Sequence, residues 1–234
     1  MNLIMFDMDG TLTDSFSFDE NCYVLAIQQA LDLPLVMPEW ESYPHASSSY
    51  CLDAIVRAHL GRPVTPAESE AVQQRMVALM AEIGARNNRH TAEIRGAAAC
   101  LRTLRAQGHA VAIASGDWAA TARHKLTTAK IPYHGLPAAF CDDSHVRTEI
   151  MRTSLARAAA HYGVAEFDRV VYVGDALWDI RACRELGWPL VLIAEGGHAE
   201  RMRAHGATQL VAHYEPLEHF HSALARATPP ALAQ

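Results

Sequence analysis

Apolar residues along this chain follow two rhythms, and the change between them divides the sequence. Leu3-Ile4-Met5-Phe6 is a short unbroken run, as expected of a strand buried on both faces. From residue 15 to about residue 94 the spacing is helical. Ser17-Phe18-Asp19-Glu20 has capping-box spacing and predicts a helix to about Leu31, with Val24, Ile27 and Leu31 on one face and Pro34 and Pro38 ending it. A second helix is predicted over Ser48–Leu60, stopped by Gly61 and Pro63. A third opens at Thr65-Pro66-Ala67-Glu68, a capping box with proline at the first helical position. Its stripe is Val72, Met76, Leu79, Met80 and Ile83, where the methionines read as packing.

Beyond Ile94 short apolar strands alternate with helices. The strands are Ala110–Ala114, Ala138–Cys141, Val170–Val173, Leu190–Ile193 and a weaker one at Gln209–Val211. The helices are 97–107, one after residue 116, 148–162 and one ending near Gly187. Such alternation predicts an α/β chain with a mostly parallel sheet covered on both faces. The helical stretch interrupts it once and reads as an inserted all-helical cap. The core would then comprise residues 1–14 and 95–234, and the cap 15–94. The Pro/Ala-rich tail Thr228–Gln234 is expected to fray.

A net charge of −6 with no basic block disfavours nucleic acid as a partner. The first apolar run is too short for a signal peptide or a membrane span, so a cytoplasmic location and no membrane association are expected. Cys22, Cys51, Cys100, Cys141 and Cys183 are dispersed without Cys-x-x-Cys spacing and predict reduced, packed thiols. The histidines, including the near pair His219 and His221, show no zinc spacing.

The candidate chemistry lies where predicted strands end. Asp7-Met8-Asp9-Gly10-Thr11 follows the first strand, placing two carboxylates on a glycine turn at the edge where open α/β sheets bind ligands. Ser115-Gly116-Asp117 follows another strand and offers a hydroxyl and backbone N–H groups to a phosphate oxygen, although the same turn serves as a plain helix cap. Gly174-Asp175 follows a third, with Asp179 one helical turn on. Two further acids beside Asp7 and Asp9 point to a hard cation held by oxygens.

Asp7-x-Asp9-Gly10-Thr11, Ser115-Gly116 and Gly174-Asp175-x-x-x-Asp179, in that order and strand context, resemble the haloacid dehalogenase-like hydrolases. The entry Asp9-Gly10-Thr11-Leu12-Thr13-Asp14-Ser15 is similar to the phosphoglycolate phosphatase-like branch with a helical cap. The resemblance implies a Rossmann-like core and a Mg²⁺-dependent phosphatase acting on a small phosphorylated metabolite. It implies Asp7 as nucleophile forming an aspartyl-phosphate, and Asp9 as acid and then base. Asp7, the Asp9 backbone carbonyl and Asp175 would hold Mg²⁺, with Asp179 contributing directly or through water, and Ser115 and the Gly116 N–H the phosphoryl oxygens. The family's lysine is missing from its place. Lys125 and Lys130 come too early in the order, and Arg147 stands where it is expected, unless it merely pairs with Asp142 or Asp143 at the surface.

Asp9 favours an oxygen leaving group, hence a phosphate monoester. A phosphomutase of sugar phosphates and a non-catalytic phospho-ligand-binding protein remain alternatives; an intact nucleophile beside an acid argues against the second. Tyr43, His45 and Arg57 are candidates for reading the leaving group, in a stretch that could equally be a plain interhelical loop and the helix after it. Trp118 and Trp178 would wall the entrance or pack the domain seam. Arg86, Arg89 and His90 would attract anions or solvate a hinge. A monomer or homodimer is expected.

Overall fold

The computed structural model describes residues 1–34, 40–87 and 90–231. Strand β1 (Asn2–Phe6) leads into a tight loop and the short strand β2 (Thr13–Asp14). Helix α1 (Phe16–Leu31), a 3-10 turn (Trp40–Ser42), α2 (Ser48–Leu60) and α3 (Pro66–Asn87) follow. The chain returns through β3 (Ala92–Glu93), which pairs antiparallel with β2, so the helical stretch leaves and re-enters at adjacent points. Then come α4 (Ala97–Ala106), β4 (Ala110–Ala114), α5 (Ala119–Thr128), β5 (Ala138–Ala139) and α6 (Arg147–Tyr162). The last elements are β6 (Arg169–Gly174), α7 (Leu177–Leu186), β7 (Leu190–Ile193), α8 (Gly196–Ala204), β8 (Leu210–Val211) and α9 (Leu217–Arg226).

Six strands form one sheet in the order β5-β4-β1-β6-β7-β8, every neighbouring pair parallel. The fold is α/β and Rossmann-like. Alternation along the strands divides the core. Leu3 and Met5 face one layer with Tyr172 and Leu192, while Ile4 and Phe6 face another with Val111, Val173, Leu101 and Phe220. Both layers are buried, which explains why β1 reads as an unbroken apolar run. Because β1 lies between β4 and β6, the loops after all three strands converge at one edge.

The predicted capping box at Thr65 forms: the Thr65 N–H donates to Glu68 Oε2 at 2.9 Å, and the Glu68 N–H donates to Thr65 Oγ1 at 3.3 Å. The box expected at Ser17 does not start α1, which begins at Phe16 with Ser15 in the capping position. The Ser15 hydroxyl donates to Asp9 instead of capping the helix. Pro38 and Arg89 lie outside the described residues. The tail also departs from expectation as far as Ala231. The Thr228 carbonyl accepts from the Leu190 N–H, and the Ala231 carbonyl accepts from Arg184. All five cysteines are buried free thiols; burial pushes Cys22 and Cys51 up to about 12. No helix among the described residues is long and apolar enough to cross a membrane.

The loop after β1 is tied to the C-terminal part of the chain by Tyr214, whose buried hydroxyl donates to the Thr11 carbonyl at 3.1 Å. Tyr214→Phe leaves that carbonyl without its tyrosine donor. It is expected to cost about 1 kcal/mol, read as a fall of roughly 2–4 °C in thermal denaturation.

Candidate active site

Asp7 continues the β1 ladder, its N–H donating to the Val173 carbonyl at 2.8 Å, and this places its side chain just beyond the sheet edge. Gly10 turns the chain there with φ of 70°, a left-handed conformation in which glycine avoids the strain of a side chain. The loop closes through the Leu12 and Thr13 N–H groups, both donating to the Met8 carbonyl. One Asp7 oxygen accepts from the Met8 N–H at 2.7 Å, the other from Arg147 Nη1 at 2.9 Å.

Arg147 stands at the start of α6 and is almost wholly buried. Its Nη1 also reaches Asp179 Oδ1 at 3.1 Å, and its Nη2 donates to the Ala46 carbonyl at 3.2 Å. Asp142 and Asp143 have other partners, the Ala119 N–H and Arg157, so the surface pairing is not formed. Burial works against the guanidinium's charge, but Asp7 and Asp179 outweigh it and raise its pKa.

Asp179 lies in the first turn of α7 and folds back over the strand end. Its Oδ2 accepts from the N–H groups of Asp175 and Ala176, both at 3.0 Å. A side chain on Gly174 would collide with this carboxylate, so the position needs glycine. Gly116 has a similar constraint. A Cβ there would meet the Ala46 carbonyl at 2.7 Å and Arg147 Nη2 at 2.8 Å. The Gly116 carbonyl accepts from the Ser48 N–H at 2.8 Å, which brings the start of α2 onto this turn.

Asp7, Asp175 and Asp179 each offer an oxygen within 4.8 Å of the others, and among the described residues no other such group of three forms. Burial, then repulsion from Asp179 and Asp7, raises the Asp175 carboxyl well above its ordinary range. Burial raises Asp179 to about 7 despite the opposing pull of Arg147. Asp9 is set apart from this trio. Its Oδ2 accepts from Lys125 Nζ at 2.6 Å, and its Oδ1 from the hydroxyls of Thr13 and Ser15.

Asp7, Asp9 and Arg147 line a small cavity of about 70 Å³, with Ser115, Gly116, Asp117, Ser48, Asp19 and Trp178 among its other walls. Trp40, Glu20 and Trp178 are shared with an adjoining pocket of about 670 Å³. Trp178 thus lines both spaces, and the Arg147 guanidinium lies 5.8 Å from its ring centre. Trp118 instead is buried and stacked on Tyr23. Tyr43, His45 and Arg57 line neither space: Tyr43 and His45 pack on Tyr50, and Arg57 pairs with Asp53 on α2.

In the sequence Lys125 reads only as a lysine too early in the order, Asp19 only as part of a capping-box spacing and Asp117 only as part of a turn, so none of the three reads as a site residue. Lys125 is fully buried and bridges Asp9, Asp19 and Asp117. A signal was present: Asp117, Thr121 and Lys125 recur every four residues from the Ser-Gly turn, on one helical face.

Comparison with known proteins matches residues 1–187 to the family model described as haloacid dehalogenase-like hydrolase. No curated protein matches the chain. Among solved structures, a hydrolase from Pseudomonas syringae is 21% identical with a TM-score of 0.69, covering 95% of this chain and 99% of that one. CbbY from Rhodobacter sphaeroides, solved in complex with phosphate, is 21% identical with a TM-score of 0.67, covering 92% and 95%. A protein provisionally named β-phosphoglucomutase from Bacteroides vulgatus is 16% identical with a TM-score of 0.69, covering 97% and 91%. With the motif order, the parallel sheet and a family match over most of its length, the chain belongs to the haloacid dehalogenase-like hydrolases.

Proposed function

We propose that this chain is a Mg²⁺-dependent phosphatase that hydrolyses a small phosphate monoester through an aspartyl-phosphate on Asp7. The observation that carries the reading is the Asp7 carboxylate, held by Arg147 in a cavity that Ser115, Gly116 and Asp9 also line. Asp7 attacks phosphorus in line with the departing oxygen, to which Asp9 gives a proton. Ser115, the Gly116 N–H and Arg147 hold the phosphoryl oxygens, Arg147 through a fork that can make two hydrogen bonds at once. Asp9 then takes a proton from the water that attacks the phosphorus of the aspartyl-phosphate and releases Asp7. Residues 15–94 act as the cap, since Ala46 and Ser48 sit against Gly116 and Trp40 lines the mouth. Closing that segment over the core would exclude bulk water.

The residues present fit a divalent cation. Asp7, Asp175 and Asp179 form an all-oxygen donor set, and crowding them without a cation drives Asp175 and Asp179 towards protonation. When bound, Mg²⁺ supplies neutralisation of phosphoryl charge and Lewis acidity.

Asp7→Asn is expected to abolish turnover of 4-nitrophenyl phosphate while circular dichroism stays native-like. Full activity in that variant contradicts covalent catalysis by Asp7. EDTA should silence the native enzyme and Mg²⁺ restore it, and activity indifferent to chelation contradicts the metal assignment. Arg147→Ala should lower kcat by ~10²-fold or more, as for other preorganised donors; near-normal turnover removes Arg147 from the phosphate clamp.

The raised carboxyls also set the pH response. Asp179, moved up from 3.8 to about 7, favours the protonated folded form. That contribution to stability is full below 3.8 and is lost as the pH of metal-free protein rises through about 7. Asp175→Asn removes one of the crowded charges. It should raise the melting temperature of metal-free protein at pH 8 by about 2–6 °C, for roughly 1–2 kcal/mol of relieved strain. The same variant should lose the thermal stabilisation that Mg²⁺ gives the native chain. A lower melting temperature without metal, or undiminished stabilisation by Mg²⁺, contradicts the shared site.

A further inference from the structure

A cation to which the phosphatase reading gives no task lies directly behind the pocket. Lys125, on α5, is fully buried and does not line the cavity. Its Nζ stands 2.6 Å from Asp9 Oδ2, 2.9 Å from Asp117 Oδ2 and 3.1 Å from Asp19 Oδ1, and each of those three acids does line the cavity. An ammonium is costly to remove from water, so it persists in such a place only with charged partners around it. Two of these partners are themselves fixed. Asp117 Oδ1 accepts from the Trp118 N–H at 2.8 Å and the Thr121 hydroxyl at 2.6 Å, which leaves Oδ2 for the lysine. Asp19 belongs to α1, on the far side of the first loop. The lysine in turn takes one oxygen of Asp9, while Thr13 and Ser15 take the other. Asp9 is therefore gripped at both oxygens, and the strongest grip comes from a charge with no path to a ligand.

Resting on the phosphatase reading, we infer that Lys125 is a positioning residue: its buried ammonium sets the orientation of the Asp9 carboxylate at the pocket wall. It acts through Asp9 and touches neither substrate nor phosphoryl group. The two halves of the reaction depend on that orientation unequally. With 4-nitrophenyl phosphate, Asp7 forms the new bond to phosphorus while 4-nitrophenolate leaves with the electron pair of the broken bond and needs no proton. In the second half, the water oxygen bonds to phosphorus, the Asp7 carboxylate leaves with its electron pair, and the water proton passes to Asp9. Only this half requires Asp9 to point correctly when the leaving group is a good one.

Stopped-flow absorbance on the full chain with Mg²⁺ and 4-nitrophenyl phosphate separates the halves. In Lys125→Met the first turnover should keep its rate within about twofold, while later turnovers slow ~10-fold or more. The trace then shows one equivalent of 4-nitrophenolate per enzyme followed by a slow phase. A merely structural lysine would slow both phases together, and that result overturns the inference. Where Lys125→Met does not fold, the isosteric Asp19→Asn serves, since it removes one of the three charges that hold the lysine in place. It should show the same split to a smaller degree, and native later turnovers overturn the inference. Asp9→Asn in the same assay distinguishes the two levels. If it splits the phases and the lysine variant does not, only the positioning role fails; if it leaves later turnovers native, the acid–base reading of Asp9 fails and the inference with it.

Discussion

Negative charge crowded at one edge of a sheet is the constraint around which this molecule is arranged. Asp7, Asp9, Asp19, Asp117, Asp175 and Asp179 all converge there, and two buried cations, Arg147 and Lys125, divide them. Arg147 serves the side nearer β6, joining Asp7 to Asp179, with Asp175 beside them. Lys125 serves the opposite side, joining Asp9 to Asp19 and Asp117. Two positive charges cannot neutralise so many carboxylates. Burial accordingly raises Asp19, Asp117, Asp175 and Asp179 towards protonation, and the all-oxygen trio is left suited to a divalent ion. An arrangement so unfavourable in itself is explained by chemistry that needs charge at that point.

Topology delivers these groups from distant parts of the chain. Placing β1 between β4 and β6 brings residues 7, 115 and 175 to one edge, and the glycines at 116 and 174 let Arg147 and Asp179 approach the backbone. The helical stretch supplies contacts to this edge. It contributes Asp19 to the lysine cluster, and Ala46 and Ser48 to the Arg147 and Gly116 contacts. A change in how those helices sit would thus alter both charge clusters at once.

Much of this was legible along the chain because the signals were local. A buried strand followed by Asp-x-Asp-Gly-Thr, and another by Gly-Asp-x-x-x-Asp, encode both the sheet and the convergence of its edge. Arg147 could be assigned by order, and its contacts with Asp7 and Asp179 replace the alternative with Asp142 or Asp143. What escaped was non-local. Lys125 precedes the place where a family lysine is sought, and only tertiary packing shows that it meets Asp9 across 116 residues of chain. Tyr43, His45 and Arg57 are ligand-reading candidates by the resemblance to capped relatives, yet their partners are Tyr50 and Asp53 rather than the cavity. Helices α8 and α9 lie beyond the elements read from the sequence.

The charge crowding is tested most directly by calorimetric titration of the metal-free protein with Mg²⁺ near pH 6, repeated in buffers of different ionisation enthalpy. If buried carboxyls carry protons until a cation replaces them, binding must release protons, close to one or more per ion. Binding without proton release would contradict the account, because it would mean that the acids at this edge are already ionised and tolerate one another.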